Sequence, residues 1–208
     1  MTDYKLNFIR HGMTAGNLFG LYIGSTDLSL CEEGKSAIET LRREQEYPSV
    51  HKVYTSPLKR CIETAELLYP DRWTEVVDDL RECDFGVFEA KRIVDLKNDP
   101  EYLKWMEDAS QAPPGGESAR QVSERITAAV EYILNDMMKL KINRAAVVTH
   151  GGIIAMLMAA YGLPQRDIRE WPVDFGYGWC ASINPQIWRN DKLFEVLDEV
   201  PYYDTGVY

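Results

Sequence analysis

The sequence predicts a three-layer α/β/α sandwich, with a largely parallel sheet and helices on both faces. Short apolar segments typical of buried strands alternate with segments whose apolar residues recur at helical spacing, and this alternation is typical of α/β proteins. At 208 residues the chain suits one domain with a full core. Because no repeat or low-complexity run divides it, we expect a single domain over residues 1–208, with an insertion at about 84–116.

The first half of the chain contains four predicted elements: a strand at Leu6–Ile9, a helix from Lys35 to about Glu46, a strand at Val50–Tyr54 and a helix from Leu58 to Tyr69. Pro48 favours the end of the first helix, because the residue before a proline avoids the helical conformation. Ser56 is a natural N-cap for the second helix, and Pro57 fits its first turn.

The second half continues the alternation with a strand at Thr74–Val77, short helices at Ile93–Glu107, a helix from Ser118 to about Leu140, a strand at Ala145–Val148, a helix at Gly152–Tyr161, closing strands within 179–188 and 193–200, and a loose tail. Ser118 and Gln121 form a capping-box pattern at the start of the long helix. The Pro-Pro-Gly-Gly run at 113–116 predicts the loop before it.

The composition favours a soluble cytoplasmic protein. A formal net charge of −10 and a pI near 4.9 argue against nucleic acid or an anionic membrane as a partner, since both select basic surfaces. The four cysteines form no CxxC pair, which is typical of reduced residues in the cytosol. The N-terminus lacks a signal-peptide pattern, and the longest apolar stretch, Gly151–Leu163, is too short to cross a bilayer.

Two of the three histidines occupy matching positions. His11 and His150 each follow a short apolar run and precede a glycine, so both fall at the carboxyl end of a predicted strand. Ligands of open α/β sheets collect at these ends, and we therefore expect the two imidazoles to meet in one site. His51, at the start of a strand, is interpreted as an ordinary surface or packing residue.

Two arginines allow opposite interpretations. Arg10 emerges from a buried strand and needs an anion, which is either an internal carboxylate or a bound phosphate gripped by paired hydrogen bonds. Arg60 lies off the apolar face of its helix, so periodicity alone predicts a solvated side chain. Its place one turn inside a helix that follows a strand end also permits a role in phosphate binding.

Acid–base candidates cluster in the segment DDLRECDFGVFEA, and spacing alone does not choose among Asp78, Asp79, Glu82, Asp84 and Glu89. A metal site built on His11 and His150 is disfavoured, since no HxH, HxxxH or HExxH pair occurs and Arg10 would repel a cation. A Ser-His-Asp hydrolase is also disfavoured, because no GxSxG elbow is present.

Five segments in order resemble the histidine phosphatase superfamily, also called the phosphoglycerate mutase-like family. They are RHGMTAGN, YTSPLKRCIETAELL, RECDFGVFEA, PPGGES and VVTHGG, which together span residues 5 to about 160. Any one is weak alone, but five in the family's order make a strong resemblance. It implies a phosphoglycerate mutase-like version of the predicted sandwich.

The resemblance also implies a role for each matching residue. His11 would be the nucleophile that takes the phosphoryl group, with Arg10, Arg60 and His150 binding it and stabilising its charge. Glu82 would be the proton donor, a choice that the residues themselves leave open. The residues implied to bind substrate are Arg10, Asn17, Ile23, Gly24, Arg60 and Gly151.

The implied activity is hydrolysis of small-molecule phosphate monoesters through a phosphohistidine, with no metal or organic cofactor. The loop LYIGSTDLSLCEEG is similar to that of α-ribazole phosphatases, which makes α-ribazole 5′-phosphate a candidate substrate. Ile23 replaces a substrate-contacting threonine of mutases, so cofactor-dependent phosphoglycerate mutase is the second hypothesis. The third is a catalytically silent phosphate-binding regulatory protein. The segment Trp171–Trp179 suits either the core or a homodimer interface.

Overall fold

The computed structural model describes residues 3–202, which form seven strands and seven α-helices. The strands are β1 (Tyr4–Arg10), β2 (Lys52–Thr55), β3 (Thr74–Val76), β4 (Arg144–Thr149), β5 (Gly162–Leu163), β6 (Gly178–Ile183) and β7 (Phe194–Val200). The helices are α1 (Ala15–Leu18), α2 (Glu32–Glu44), α3 (Lys59–Leu68), α4 (Pro100–Glu107), α5 (Ala119–Leu140), α6 (Gly151–Tyr161) and α7 (Pro185–Asp191). Short 3₁₀ turns lie at 78–80, 86–88, 96–98 and 168–170.

One sheet runs through the molecule in the order β3-β2-β4-β1-β6-β7-β5. Strands β3, β2, β4 and β1 run parallel, whereas β6 joins β1 in the antiparallel direction. Arg10 on β1 is in register with Thr149 on β4. The residues that follow these two strands therefore leave the same edge of the sheet side by side.

Helices cover both faces of the sheet. On one face α5 and α6 pack against Leu6 and Phe8, together with Trp188 from α7. On the other face Ile38 of α2 and Ala65 of α3 pack against the opposite side of β1 and β4. The predicted three-layer α/β/α sandwich with a largely parallel sheet is confirmed.

Two local predictions are wrong. Ser56 is not the N-cap of α3, because that position falls two residues later, at Leu58, and the helix begins at Lys59. The amide of Lys59 donates to Asp27, and the Ser56 hydroxyl lies 2.9 Å from Nε2 of His150. The second half of the closing segment 179–188 is helical rather than extended. The Asn184 side chain accepts hydrogen bonds from two backbone amides of α7, and this cap with Pro185 starts a helix that buries Trp188.

The segment 84–116 is largely irregular and packs around a small aromatic cluster of its own. Phe88, Leu96 and Tyr102 are its buried members, and Tyr22, Phe85 and Trp105 pack against them. Tyr22 belongs to the loop after α1, so this cluster fixes the segment against the loop that runs toward the histidines. The aromatic residues of the segment are thus packed.

Three predictions made from the sequence concern the cysteines, a membrane span and the tail. All four cysteines are free. Within residues 3–202 the longest and most apolar helices still fall short of what a bilayer span requires. The predicted loose tail lies mainly in residues 203–208, outside the described residues.

Candidate active site

The two histidines at the ends of β1 and β4 face each other. The ring centroids of His11 and His150 are 5.1 Å apart, with the rings inclined at 64°. His11 is 5% exposed and His150 is fully buried. The parallel register of the two strands brings these distant residues together, as their matching positions predicted.

His11 presents one ring nitrogen to the site. Its Nδ1 lies 2.6 Å from the carbonyl oxygen of Gly12, so Nδ1 holds the proton and Nε2 keeps its lone pair. Burial lowers the pKa of His11 to about 3, and the positive charges of Arg60 and Arg10 add to this effect. The imidazole is therefore neutral near pH 7, which a nucleophile requires.

His150 is held by neighbours on both sides of its ring. Its Nε2 lies 2.9 Å from Oγ of Ser56, and Nε of Arg60 donates to its Nδ1 at 3.3 Å. Burial lowers the pKa of His150 well below its usual value, with the neighbouring His11 and Arg60 acting in the same direction. Its hydrogen bonds fix the orientation of the ring beside His11.

Arg60 is fully buried, so the solvated position that periodicity predicts is wrong. Its guanidinium donates to the carbonyl oxygens of Thr26 and Gly24, at 2.8 Å each. The helical face that looks polar is covered by the loop before α2. Gly24 permits this cover, because a Cβ there would fall 1.9 Å from the carbonyl oxygen of Cys83.

Arg10 has no carboxylate ion pair among the described residues, contrary to the internal salt bridge considered for it. One amino group donates to the carbonyl oxygen of Val173 at 2.7 Å, and the guanidinium stacks 3.9 Å from the ring centroid of Phe175. Its buried Nε has no hydrogen-bond partner within the described structure. A half-buried cation whose buried Nε donor is unused is the arrangement that an incoming anion would complete.

Glu82 is the acid–base candidate whose carboxyl lies beside the start of α6 and interacts electrostatically with Arg10 and Arg60. Its carboxyl lies next to the start of α6, where a Cβ on Gly152 would be 3.2 Å from Oε1. The amide of Cys83 donates to Oε1 at 2.9 Å. Burial raises the pKa of Glu82, although that amide and the arginines Arg60, Arg125 and Arg10 pull the pKa down.

The other carboxylates serve local structure. Glu89 accepts hydrogen bonds from the amides of Gly24, Ser25, Thr26 and Phe85, which holds the loop over Arg60. Asp84 accepts from the amide of Gly86, and Asp78 and Asp79 form a 3₁₀ turn. Among the residues that the structure describes, no three His, Cys, Asp or Glu side chains gather in a group that could hold a metal ion.

The remaining residues that the resemblance implies to bind substrate have different neighbours. Gly151 starts α6 directly against Arg10, since a Cβ there would be 3.1 Å from the arginine side chain. Ile23 packs against the backbone of Gly16 in α1. The amide oxygen of Asn17 accepts from both the amide and the hydroxyl of Thr14, which leaves its NH₂ group as the end that can face a ligand.

Sequence reasoning did not assign three residues that touch the site or support it. They are Ser56 beside His150, Phe175 over Arg10, and Arg125 behind Glu82. Phe175 lies in the aromatic segment Trp171–Trp179, whose two alternatives were core and homodimer interface. In the structure Trp171 is buried, whereas Phe175 lies 6.0 Å from His11 between ring centroids. A short aromatic segment does not reveal by itself which of its members reach a site.

Comparison with known proteins identifies the family. The sequence pattern of the histidine phosphatase superfamily (branch 1) matches residues 6–188. The chain belongs to this superfamily. It is 30% identical over 186 residues to the adenosylcobalamin/α-ribazole phosphatase of Escherichia coli, covering 86% of this chain and 90% of that protein. It is 33% identical over 187 residues to the glucosyl-3-phosphoglycerate phosphatase of Mycolicibacterium vanbaalenii, covering 84% and 80%.

Solved structures agree with the superfamily assignment. The crystal structure of the α-ribazole phosphatase from Shigella flexneri superposes with a TM-score of 0.78 at 25% identity, and the match covers 98% of this chain and 99% of that chain. The resemblance stated from the five motifs is therefore confirmed, as are the phosphoglycerate mutase-like fold and the assignment to phosphoric monoester hydrolases.

Proposed function

We propose that this histidine phosphatase hydrolyses small-molecule phosphate monoesters through a phosphohistidine on His11. The observation that carries the proposal is the meeting of two neutral imidazoles with two arginines, Arg60 buried and Arg10 half-buried, that form no carboxylate ion pair within residues 3–202. Such a centre favours the binding of an anion. A phosphate group would supply it, placed between Nε2 of His11 and the two guanidinium groups.

In the first step, Nε2 of His11 forms a bond to phosphorus while the bond to the ester oxygen breaks. Phosphoryl transfer depends mainly on positioning and on stabilising charge on the transferred oxygens. Arg10, Arg60 and the fixed ring of His150 act on that charge from positions that require little rearrangement. A buried site strengthens each of these interactions.

The ester oxygen leaves with the proton of Glu82. An alkoxide is a poor leaving group, so its departure needs a general acid that is still protonated near neutral pH. Burial beside α6 raises the pKa of Glu82 toward that range. In the second step, Glu82 takes a proton from water, the water oxygen attacks phosphorus, and the bond to His11 breaks to release inorganic phosphate.

The candidate substrate is α-ribazole 5′-phosphate. The similarity to the E. coli and Shigella phosphatases supports it, together with the loop LYIGSTDLSLCEEG that runs past Arg60. Phosphoglycerate mutase is the second candidate, but Ile23 is an apolar residue packed on α1, where a polar contact to a phosphoglycerate is expected in mutases. The proposed partner is a small phosphate ester, without nucleic acid or membrane; homodimer formation by the chain remains a prediction.

The test is inorganic phosphate release from a panel of phosphomonoesters, assayed with a metal chelator present. The panel contains α-ribazole 5′-phosphate and 3-phosphoglycerate, and each is assayed with the wild type and with His11→Ala. We expect turnover that survives the chelator and falls by at least about 10³-fold in the variant, since loss of a nucleophile removes the whole covalent route. Transfer of ³²P to the protein, trapped by rapid denaturation, should also vanish.

Each alternative has its own outcome in this experiment. Rearranged phosphoglycerate without free phosphate would support the mutase. Turnover lost to the chelator would require a metal. Binding of phosphate to the wild type without turnover of any ester would favour a silent regulatory protein and contradict the proposal.

A further inference from the structure

The segment that presents Glu82 has little regular structure to fix it. Residues 78–80 form one 3₁₀ turn, and the chain then runs without helix or strand to the turn at 86–88. Its backbone carbonyls therefore need other partners. A proton donor on such a segment would sample several positions unless side chains from elsewhere held it.

Arg125 on α5 supplies most of these partners. The side chain is only 8% exposed, and its guanidinium donates to the carbonyl oxygens of Asp79, Arg81 and Glu82 at 2.9, 2.6 and 3.0 Å. The remaining donors reach the carboxylate of Glu117 at 3.0 and 2.9 Å. One planar cation thus connects three carbonyl acceptors of the segment to the long helix.

Glu117 completes the support from the other side. Its carboxylate accepts from the amide of Asp84 at 3.1 Å and from Arg81 at 3.0 Å, and its own amide donates to the carbonyl oxygen of Asp84 at 2.9 Å. The hydroxyl of Thr149 on β4 donates to the carbonyl oxygen of Leu80. The segment is therefore fixed on both sides of Glu82, by residues that lie outside the cluster of histidines and arginines.

We propose that Arg125, with Glu117 as its counter-ion, is a positioning residue that holds the Glu82 carboxyl at proton-transfer distance from the leaving oxygen. This rests on the proposed role of Glu82 as proton donor. The Arg125 guanidinium makes five hydrogen bonds, three to backbone carbonyls of the segment and two to the Glu117 carboxylate, and these fix the position and direction of the segment. The geometry needs a planar fork, which an ammonium group does not provide.

A leaving-group comparison separates positioning from general structural damage. Ethyl phosphate releases an alkoxide that needs the proton of Glu82, whereas 4-nitrophenyl phosphate releases a phenolate that departs without it. The quantity measured is kcat/KM, because it reports phosphoryl transfer to His11 and excludes the later hydrolysis step. Loss of Glu82 positioning should lower kcat/KM for the alkyl ester alone.

For Arg125→Lys we expect kcat/KM for ethyl phosphate to fall about 10- to 100-fold, the range for a misplaced general acid, with less than about a threefold change for 4-nitrophenyl phosphate. Glu82→Gln should show the same asymmetry. In the double variant Glu82→Gln/Arg125→Lys the effects should not multiply, since the arginine acts through the missing carboxyl. The matched control is Arg120→Lys. Arg120 is an exposed arginine of the same helix that pairs with Glu124, and its replacement should leave kcat/KM for both esters unchanged.

Glu117→Gln provides a second route if Arg125→Lys unfolds. It keeps the size of the side chain, weakens the hold on Arg125, and should give a smaller loss with the same preference for the alkyl ester. Equal losses of kcat/KM for both esters in these variants would overturn the positioning role, and so would losses that multiply in the double variant. In either case the proposed function would stand. If Glu82→Gln itself lowers kcat/KM equally for both esters, the proposed proton donor is wrong, and the positioning inference fails with it.

Discussion

Lys52 and the two arginines of the site, Arg10 and Arg60, are cations withdrawn from solvent at different places in the fold, and their partners differ completely. Lys52 at the start of β2 is 2% exposed, and its Nζ lies 2.6 Å from a carboxylate oxygen of Glu75 and 2.6 Å from one of Asp136. Among the described residues, Arg10 and Arg60, near the opposite end of the parallel strands, have carbonyl oxygens, a histidine and an aromatic ring as their hydrogen-bond and stacking partners.

Lys52 has two carboxylate counter-ions within the fold, whereas neither arginine forms an ion pair with a carboxylate in the part of the chain that the structure describes. Burial by itself would lower the pKa of Lys52, but hydrogen bonds to Asp136 and Glu75 outweigh it and raise that pKa. For Arg10 and Arg60 burial dominates, and it lowers the pKa of each. A cation with its own carboxylates stabilises the fold, while a cation without them is poised for a ligand that brings negative charge.

The largest expected effect tests this comparison with paired methionine substitutions. Arg10→Met should lower kcat/KM for phosphate esters about 10²- to 10³-fold, as for loss of one charge-stabilising group, with little loss of unfolding free energy in phosphate-free buffer. Lys52→Met should do the reverse, costing about 3 kcal/mol because two carboxylates lose their cation. Urea unfolding and phosphate release measure the two quantities on the same preparations.

Equal losses of unfolding free energy in the two variants would remove the distinction between the lysine and the arginine. If Arg10→Met were as unstable as Lys52→Met, the arginine would be a structural cation like the lysine. Added inorganic phosphate sharpens the test, since it should raise the unfolding midpoint of the wild type and of Lys52→Met but not that of Arg10→Met.

A smaller effect concerns acid stability. The folded pKa of His11 is about 3 against 6.5 in the unfolded chain, so the unfolded state binds more protons between these values and stability falls as pH falls through 6.5. His11→Gln removes this contribution. Between pH 7 and 4.5 the variant should gain about 2 kcal/mol in unfolding free energy relative to the wild type. Parallel curves of unfolding free energy against pH would show that His11 is not buried as a neutral base.

The smallest effect is expected at Phe175, which stacks on Arg10 and approaches His11. Phe175→Leu keeps an apolar side chain but removes the cation–π contact, worth about 0.5–2 kcal/mol. We expect KM for ester substrates to rise between about twofold and tenfold while kcat changes less. Tyr177→Phe, in the same segment, serves as the comparison. A fall in kcat with unchanged KM would instead place Phe175 in the transition-state contacts.

Much of this site could be predicted from local patterns. His11 and His150 each follow a strand and precede a glycine. Because the two strands are parallel neighbours in register, the residues that follow them lie side by side. The capping box at Ser118 and the break at Pro100 depend on neighbouring residues alone, and both helices begin there. Arg60 was harder, because helical periodicity describes only the face toward the sheet and a loop covers its other face.

The sequence by itself determined the alternating strands and helices, the two strand-end histidines and, through five ordered motifs, the family. These follow from spacing and from short-range backbone preferences, which act within a few residues. Only the tertiary structure decided that Arg60 is buried, that the Ser56 hydroxyl lies against His150, and that Arg125 donates a hydrogen bond to the backbone carbonyl of Glu82. Each of these depends on where distant segments place their unpaired polar groups, and burial makes such groups find partners that no local pattern specifies.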